Sequence, residues 1–140
     1  MENKYRVLVG CPTSNYKEYC LEEYAAAVKS LTYDNYDILL VDNSEDDAYS
    51  EKIKKLGINL IKAEFSERAI DRIVSSRNIL RQSALANNYD YLLSLEQDVI
   101  PPKDVIERLL SYNKKIIAGA YFGAKTRQGE TKLIPYLGNL

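Results

Sequence analysis

Histidine is missing from all 140 residues, and with it go the Ser-His and Cys-His triads and every imidazole base. Any acid, base or metal ligand must therefore be a carboxylate. Cysteine is scarce: Cys11 and Cys20 lie nine residues apart, which matches no zinc spacing. One closes an apolar run and the other falls in a helical pattern, so both read as buried free thiols. Glycine-rich loops are also lacking. Neither GxGxxG nor GxxxxGK[ST] occurs, which removes the dinucleotide fingerprint and the P-loop. Excess charge is missing too, since 19 Lys and Arg face 20 Asp and Glu, for a net charge of −1. That leaves no electrostatic footprint for nucleic acid and no polybasic membrane patch. No apolar run is long enough to span a bilayer, so no transmembrane segment is expected. Residues 1–4 are polar and lead into a strand rather than a signal core, so the expected compartment is the cytoplasm.

What is present is an alternation. Residues 5–11 (YRVLVGC), 36–41 (YDILLV), 58–63, 91–95 (YLLSL) and 115–122 are short apolar runs of the kind buried on both faces of a parallel sheet. Between them lie helical patterns at 16–31, 46–56, 66–87 and from the Pro101-Pro102 pair to about 113. The third helix shows an apolar face of Ala69, Ile70, Ile73, Ile79, Leu80, Ala84 and Leu85. Asn15 or Ser14 would cap the first helix, and Gly57 would end the second. Strands alternating with helices predict one α/β domain with a mostly parallel sheet covered on both faces, and residues 123–140 as an irregular tail.

In such sheets the ligand sits beyond the carboxyl ends of the strands. Polar clusters follow three strands there: residues 11–15 (CPTSN), 42–44 (DNS) and 96–98 (EQD). With no glycine nest available, a bound diphosphate would need a divalent metal, and the third cluster is where it would sit. In an extended segment Glu96 and Asp98 point the same way, and a cation between them would relieve their repulsion. Mg²⁺ and Mn²⁺ suit such oxygen ligands. Solvated turn acids are the competing reading. Asp42 can bond a ribose or base or close an Asx-turn. Thr13 can meet a base edge or cap a helix. Arg72 and Arg77 can reach a phosphate or face solvent.

Together these pieces resemble the GT-A glycosyltransferases, family 2-like members of the nucleotide-diphospho-sugar transferases. VLVGCPTSNYKEYCLEEYAAAVKSL is similar to the family's first strand, Pro-Thr-x-Asn loop and helix. ILLVDNSEDD resembles its second strand. RIVSSRNILRQSALANNYDYLLSLEQDVIPP resembles its Arg/Asn helix, fourth strand and metal-binding Asp-x-Asp motif, and KIIAGAYF its next strand. The likeness runs over about residues 5–122. It implies a three-layer α-β-α sandwich with a Rossmann-like sheet of core order 3-2-1-4 that lacks most of the acceptor-binding part. The implied activity is transfer of a sugar from a UDP- or GDP-linked donor to an acceptor hydroxyl, with Mn²⁺ or Mg²⁺ as Lewis acid.

The resemblance also implies roles. Pro12 and Thr13 would line the base pocket, and Asp42 would contact base or ribose. Arg72, six residues before Asn78, or else Arg77, would contact the nucleotide. Asp98 would be the principal metal ligand, with Glu96 in the first acidic position, where the family usually has the shorter Asp. The catalytic base is not identified. Beyond Asp104 and Glu107 the only acid is Glu130, and its surroundings do not resemble the family's motif. A donor-binding module without transferase activity is therefore one alternative, and a flavodoxin- or receiver-like signalling domain is another. Tyr121 and Tyr136 could border an acceptor cleft, and the apolar stretch 133–137 could support a homodimer.

Overall fold

Four parallel strands form the central sheet: β1 (Val7–Thr13), β2 (Tyr36–Asp42), β3 (Asn59–Lys62) and β4 (Tyr91–Ser94), in the order β3-β2-β1-β4. The computed structural model describes residues 5–136. Residues 1–4 and 137–140, including the expected polar lead-in and Leu137, lie outside the described residues. A 3₁₀ turn (Asn15–Cys20) leads into α1 (Leu21–Lys29), and α2 (Ala48–Lys55) and α3 (Ala69–Ala86) make the next two crossovers. The sequence patterns locate these elements to within a few residues. The described residues contain no helix long and apolar enough to cross a membrane.

Right-handed crossovers put α1 and α2 on one face of the sheet and α3 on the other. Side-chain contacts agree. From β1, Thr13 meets Tyr49 of α2, while Gly10 faces Leu80 of α3. From β2, Asp42 bonds Ser50 of α2, and from the loop that follows it Asn43 bonds Ser76 of α3. The core on the α3 side joins Val41, Ala63 and Leu80 with partly buried Leu39, Ile61, Ile79 and Leu92. Tyr24, Val28, Tyr49 and Ile53 of α1 and α2 are buried as well.

Helix ends follow their residue types. Gly57 takes a positive φ of 69° just past α2, and its N–H bonds the Lys54 carbonyl at 2.9 Å. Asn88 does the same service beyond α3 with φ 56°. The buried stripe of α3 differs from the expected one: it is Ser76, Leu80 and Ala84 at four-residue spacing, while Ile70, Ile73 and Leu85 are exposed. Leu80 sets the stripe, because Gly10 lets it press against β1.

A second compact unit covers residues 106–140. It holds most of α4 (Val105–Ser111) and an antiparallel hairpin of β5 (Tyr121–Arg127) and β6 (Glu130–Tyr136). Two expectations change here. Helix α4 starts at Val105, not at Pro101, because a following proline disfavours helical geometry at Pro101. The apolar stretch 115–122 is not a fifth strand of the parallel sheet, and residues 123–136 of the expected irregular tail 123–140 form strands and their turn. Gln128 and Gly129, both at positive φ (53° and 81°), form a tight two-residue turn that closes the hairpin locally.

Candidate functional site

The chain steps outward from β1 to β2 and β3, then returns to the other side of β1 as β4. The reversal therefore lies between β1 and β4, where α/β sheets open their ligand crevice. The segment after β1 and the segment after β4 meet at that point through Gln97, which is 1% exposed. Its Oε1 accepts from the hydroxyls of Thr13 and, at 3.1 Å, Tyr49. Its Nε2 donates to the Lys17 carbonyl at 2.7 Å. Thr13 and Tyr49 also share a 3.0 Å bond. One buried amide thus fastens three elements together, and burial pushes the Tyr49 hydroxyl above its ordinary pKa.

Glu96 and Asp98 flank this anchor, but they do not share a side. The Val99 N–H bonds the Glu96 carbonyl at 3.1 Å, so residues 96–99 form a turn and the extended spacing assumed from the sequence does not hold. Glu96 goes to Arg77 of α3, whose other nitrogen bonds Ser94 Oγ at 3.2 Å. Asp98 goes to Lys17 of the 3₁₀ turn, with Nζ to Oδ2 at 2.5 Å. The hydrogen bond to Asp98 raises the Lys17 pKa. Both acids are close to half exposed, 45% for Glu96 and 40% for Asp98. Beneath them Cys11 is fully buried, and burial, aided by the charge of Glu96, pushes its thiol up to about 12.

Asp42 behaves differently. It is 0% exposed, and both carboxylate oxygens are engaged. Oδ1 accepts from Ser44 N–H at 2.8 Å and Ser44 Oγ at 2.6 Å, and Oδ2 from Ser50 Oγ at 2.6 Å. Lys62 Nζ lies 3.5 Å away, bonded also to the carbonyls of Ser44 and Asp46. The geometry favours the Asx-turn alternative: Asp42 shapes its loop. That loop in turn braces the one after β1, since Ser44 Oγ accepts from Asn15 N–H at 2.8 Å.

Arg72 bonds the carbonyls of Ser66 (2.6 Å) and Glu67 (3.0 Å) and lies over the Phe65 ring, so its contacts stay within the loop before α3. Pro12 is half-buried at the carboxyl end of β1. Ser14, a cap candidate, makes no side-chain cap bond, though its carbonyl accepts from Lys17 N–H at 2.9 Å. The structure thus unites Thr13, Gln97, Lys17 and Asp98, sets Glu96 and Arg77 beside them, and ties Arg72 to its own loop. Gln97, Lys17 and Tyr49 carry no motif; only the position of Gln97 between two acids hinted at it.

Among the described residues no three His, Cys, Asp or Glu side chains cluster as a metal cage. A carboxylate-only donor set still suits a hard divalent ion if bound phosphate completes the shell, and Asp98 is exposed enough to serve. A hollow of about 330 Å³, lined by Lys29, Tyr36, Asp37, Gly57 and Asn59 among others, lies at the amino ends of β2 and β3, the opposite edge from these residues.

From residue 9 to residue 137 the sequence matches the family model described as Glycosyl transferase family 2. No curated protein matches it by sequence. Among solved structures, mannosyltransferase PcManGT from Pyrobaculum calidifontis, in complex with GDP-Man and Mn²⁺, is similar at a TM-score of 0.59 and 18% identity. The match covers 84% of this chain and 35% of that one. S. aureus TarS is similar at 0.57 and 17% identity, over 76% of this chain and 19% of that one. TarS 1-349 in complex with UDP is similar at 0.52 and 18% identity, over 76% and 31%. This chain therefore spans about a third or less of the length of these structures, and at such identities the likeness is one of fold.

Proposed function

The chain belongs to glycosyl transferase family 2 and has its GT-A-type fold, and from that premise we propose that it binds a nucleoside-diphosphate sugar for transfer to an acceptor hydroxyl. The donor, UDP- or GDP-linked, would lie across the crevice between β1 and β4. The observation that carries this reading is the meeting of the loops after β1 and β4 at Gln97, with the exposed acid Asp98 at the crevice mouth. The neighbours solved with GDP-Man and Mn²⁺ and with UDP support the same donor class.

Asp98 would hold Mn²⁺ or Mg²⁺ jointly with the diphosphate, and that ion would offset negative charge on the leaving group. Glu96, turned toward Arg77, would set the charge beside the diphosphate, and Arg77 would steady it. Pro12 and the backbone of Thr13 would line the base pocket, since the Thr13 hydroxyl is already bonded on two sides. Asp42 would hold the shape of the neighbouring loop, and Arg72 that of the loop before α3. A receiver-like role is disfavoured, because Asp42, the acid that phosphorylation would require, is fully buried.

The test is calorimetric titration of the chain with UDP and GDP, with and without Mn²⁺. Tighter binding with Mn²⁺ is expected, and Asp98→Ala should remove that gain, roughly tenfold or more. Equal affinity of Asp98→Ala and wild type in Mn²⁺ would refute the assignment. Donor binding without turnover would favour a binding module over a transferase.

A further inference from the structure

Among the cationic side chains near the carboxyl edge of the sheet, three are built into it. Arg72 holds the carbonyls of Ser66 and Glu67, Lys62 those of Ser44 and Asp46, and Arg77 is shared between Ser94 and Glu96. Lys17 differs from these three, for among the described residues its ammonium hydrogen-bonds only Asp98. Its backbone is fixed at both ends, the N–H on the Ser14 carbonyl and the carbonyl on Gln97. Its four-carbon stem gives the ammonium reach to other partners from that fixed point.

The Lys17–Asp98 pair spans the crevice between the loops after β1 and β4, so anything entering there meets it. With side chains 37% and 40% exposed, the pair is weakly held and readily exchanged. We propose that Lys17 is a diphosphate-binding residue that exchanges partners. In the ligand-free protein it neutralises Asp98. When Asp98 gives its carboxylate to a divalent cation, Lys17 loses its counter-ion and turns to the diphosphate that arrives with that cation. The chain has no glycine-rich nest to neutralise a diphosphate through backbone amides, which leaves this role open. The inference rests on the donor-binding reading above, and it adds a residue that the family motifs do not single out.

Two opposite effects are expected of Lys17→Met in the full chain. Mn²⁺ alone, followed by its electron paramagnetic resonance signal, should bind more tightly, because the competing ammonium is gone. With Mn²⁺ present, UDP and GDP should bind about tenfold to a hundredfold more weakly, the usual loss for a charge-assisted hydrogen bond. UMP and GMP should lose less than UDP and GDP, and Lys17→Arg should recover most of the diphosphate affinity. Melting curves that match the wild type will confirm folding; a shifted curve moves the comparison to Lys17→Gln. Wild-type binding of UDP or GDP with Lys17→Met unchanged overturns this proposal alone. Wild type that binds neither nucleotide with Mn²⁺ overturns the donor-binding reading, and this proposal with it.

Discussion

Replacing Gln97 with leucine would test whether one buried amide holds the crevice together. The loss can be worked from its contacts. Thr13 Oγ1 and Tyr49 OH stand 3.0 Å apart and would keep their mutual bond. The Lys17 carbonyl, which accepts from Gln97 Nε2 at 2.7 Å, would lose that donor. That carbonyl keeps the weak Cys20 Sγ donor at 3.3 Å, so the bond lost there and the two lost at Oε1 cost about 0.5–1.5 kcal/mol each. Burying leucine in place of an amide returns part of this. The net expectation is a loss of about 1–3 kcal/mol, a sizeable share of the ~5–15 kcal/mol that folding yields. Urea unfolding followed by far-UV circular dichroism reads it as a lower midpoint concentration, and a thermal melt as a fall in Tm of about 5–10 °C. Because the same amide fixes the 96–99 turn, nucleotide affinity should fall under conditions where the variant is still folded. A Gln97→Leu protein that unfolds at the wild-type urea concentration would show that the packing around residue 97, and not its hydrogen bonds, holds the two loops.

The other predictions concern the layers beneath. A methyl group at Gly10 would stand 2.8 Å from one Leu80 methyl and 3.1 Å from a Leu92 methyl, so Gly10→Ala should cost about 1–3 kcal/mol in the same unfolding assay. Asp42→Ala removes an acceptor shared by Ser44 and Ser50 and the carboxylate beside Lys62, so stability should fall by about 2–4 kcal/mol. Asp42→Asn should recover part of that; a stable Asp42→Ala protein that lost only nucleotide binding would restore the direct-contact role. Native protein should show no thiol reactive toward Ellman's reagent at pH 8, since Cys11 and Cys20 are both buried, and two on unfolding. Raising the Cys11 pKa from 9.0 to about 12 favours the protonated, folded form. Its contribution to stability is complete below pH 9 and is lost as pH rises from there toward 12, which unfolding at stepped alkaline pH would reveal.

The central sheet was readable because its strands are near-continuous apolar runs, and such runs occur where both faces are covered. Polar residues at their carboxyl ends then marked the crevice edge. Side-chain direction was less readable. Glu96 and Asp98 would align in a strand, but the chain turns at Glu96, and a two-residue spacing reverses its meaning in a turn. Gln97 was invisible for a related reason: a buried amide has no periodicity, and its value lies in partners 48 to 84 residues away. The apolar stretch 115–122 resembles a buried strand in composition, but only Tyr121 and Phe122 pair, in a hairpin set by the turn at Gln128-Gly129, which composition alone does not weigh. The stripe on α3 depends on which residue Gly10 admits, a fact of the partner strand rather than of the helix.

Burial sorts the three strand-end acids into two kinds, although the family pattern treats all of them as donor contacts. Asp42 has no exposed surface and two fully engaged oxygens, so occupying it with a ligand would first break the loop it shapes. Glu96 and Asp98 each have one charged partner and remain substantially exposed, so a ligand can displace that partner at small cost. Each pair is neutral as it stands. A bare diphosphate would bring uncompensated negative charge into a crevice whose cations are already matched by carboxylates, whereas a diphosphate carrying a divalent ion brings nearly none. Under the proposed donor-binding reading, the arrangement would select for the metal-bound form of the ligand through charge balance. On that reading it would do so at Asp98 rather than Glu96, because the cation paired with Asp98 sits on a long stem with no other hydrogen bond among the described residues, while the one held by Glu96 is also fastened to Ser94.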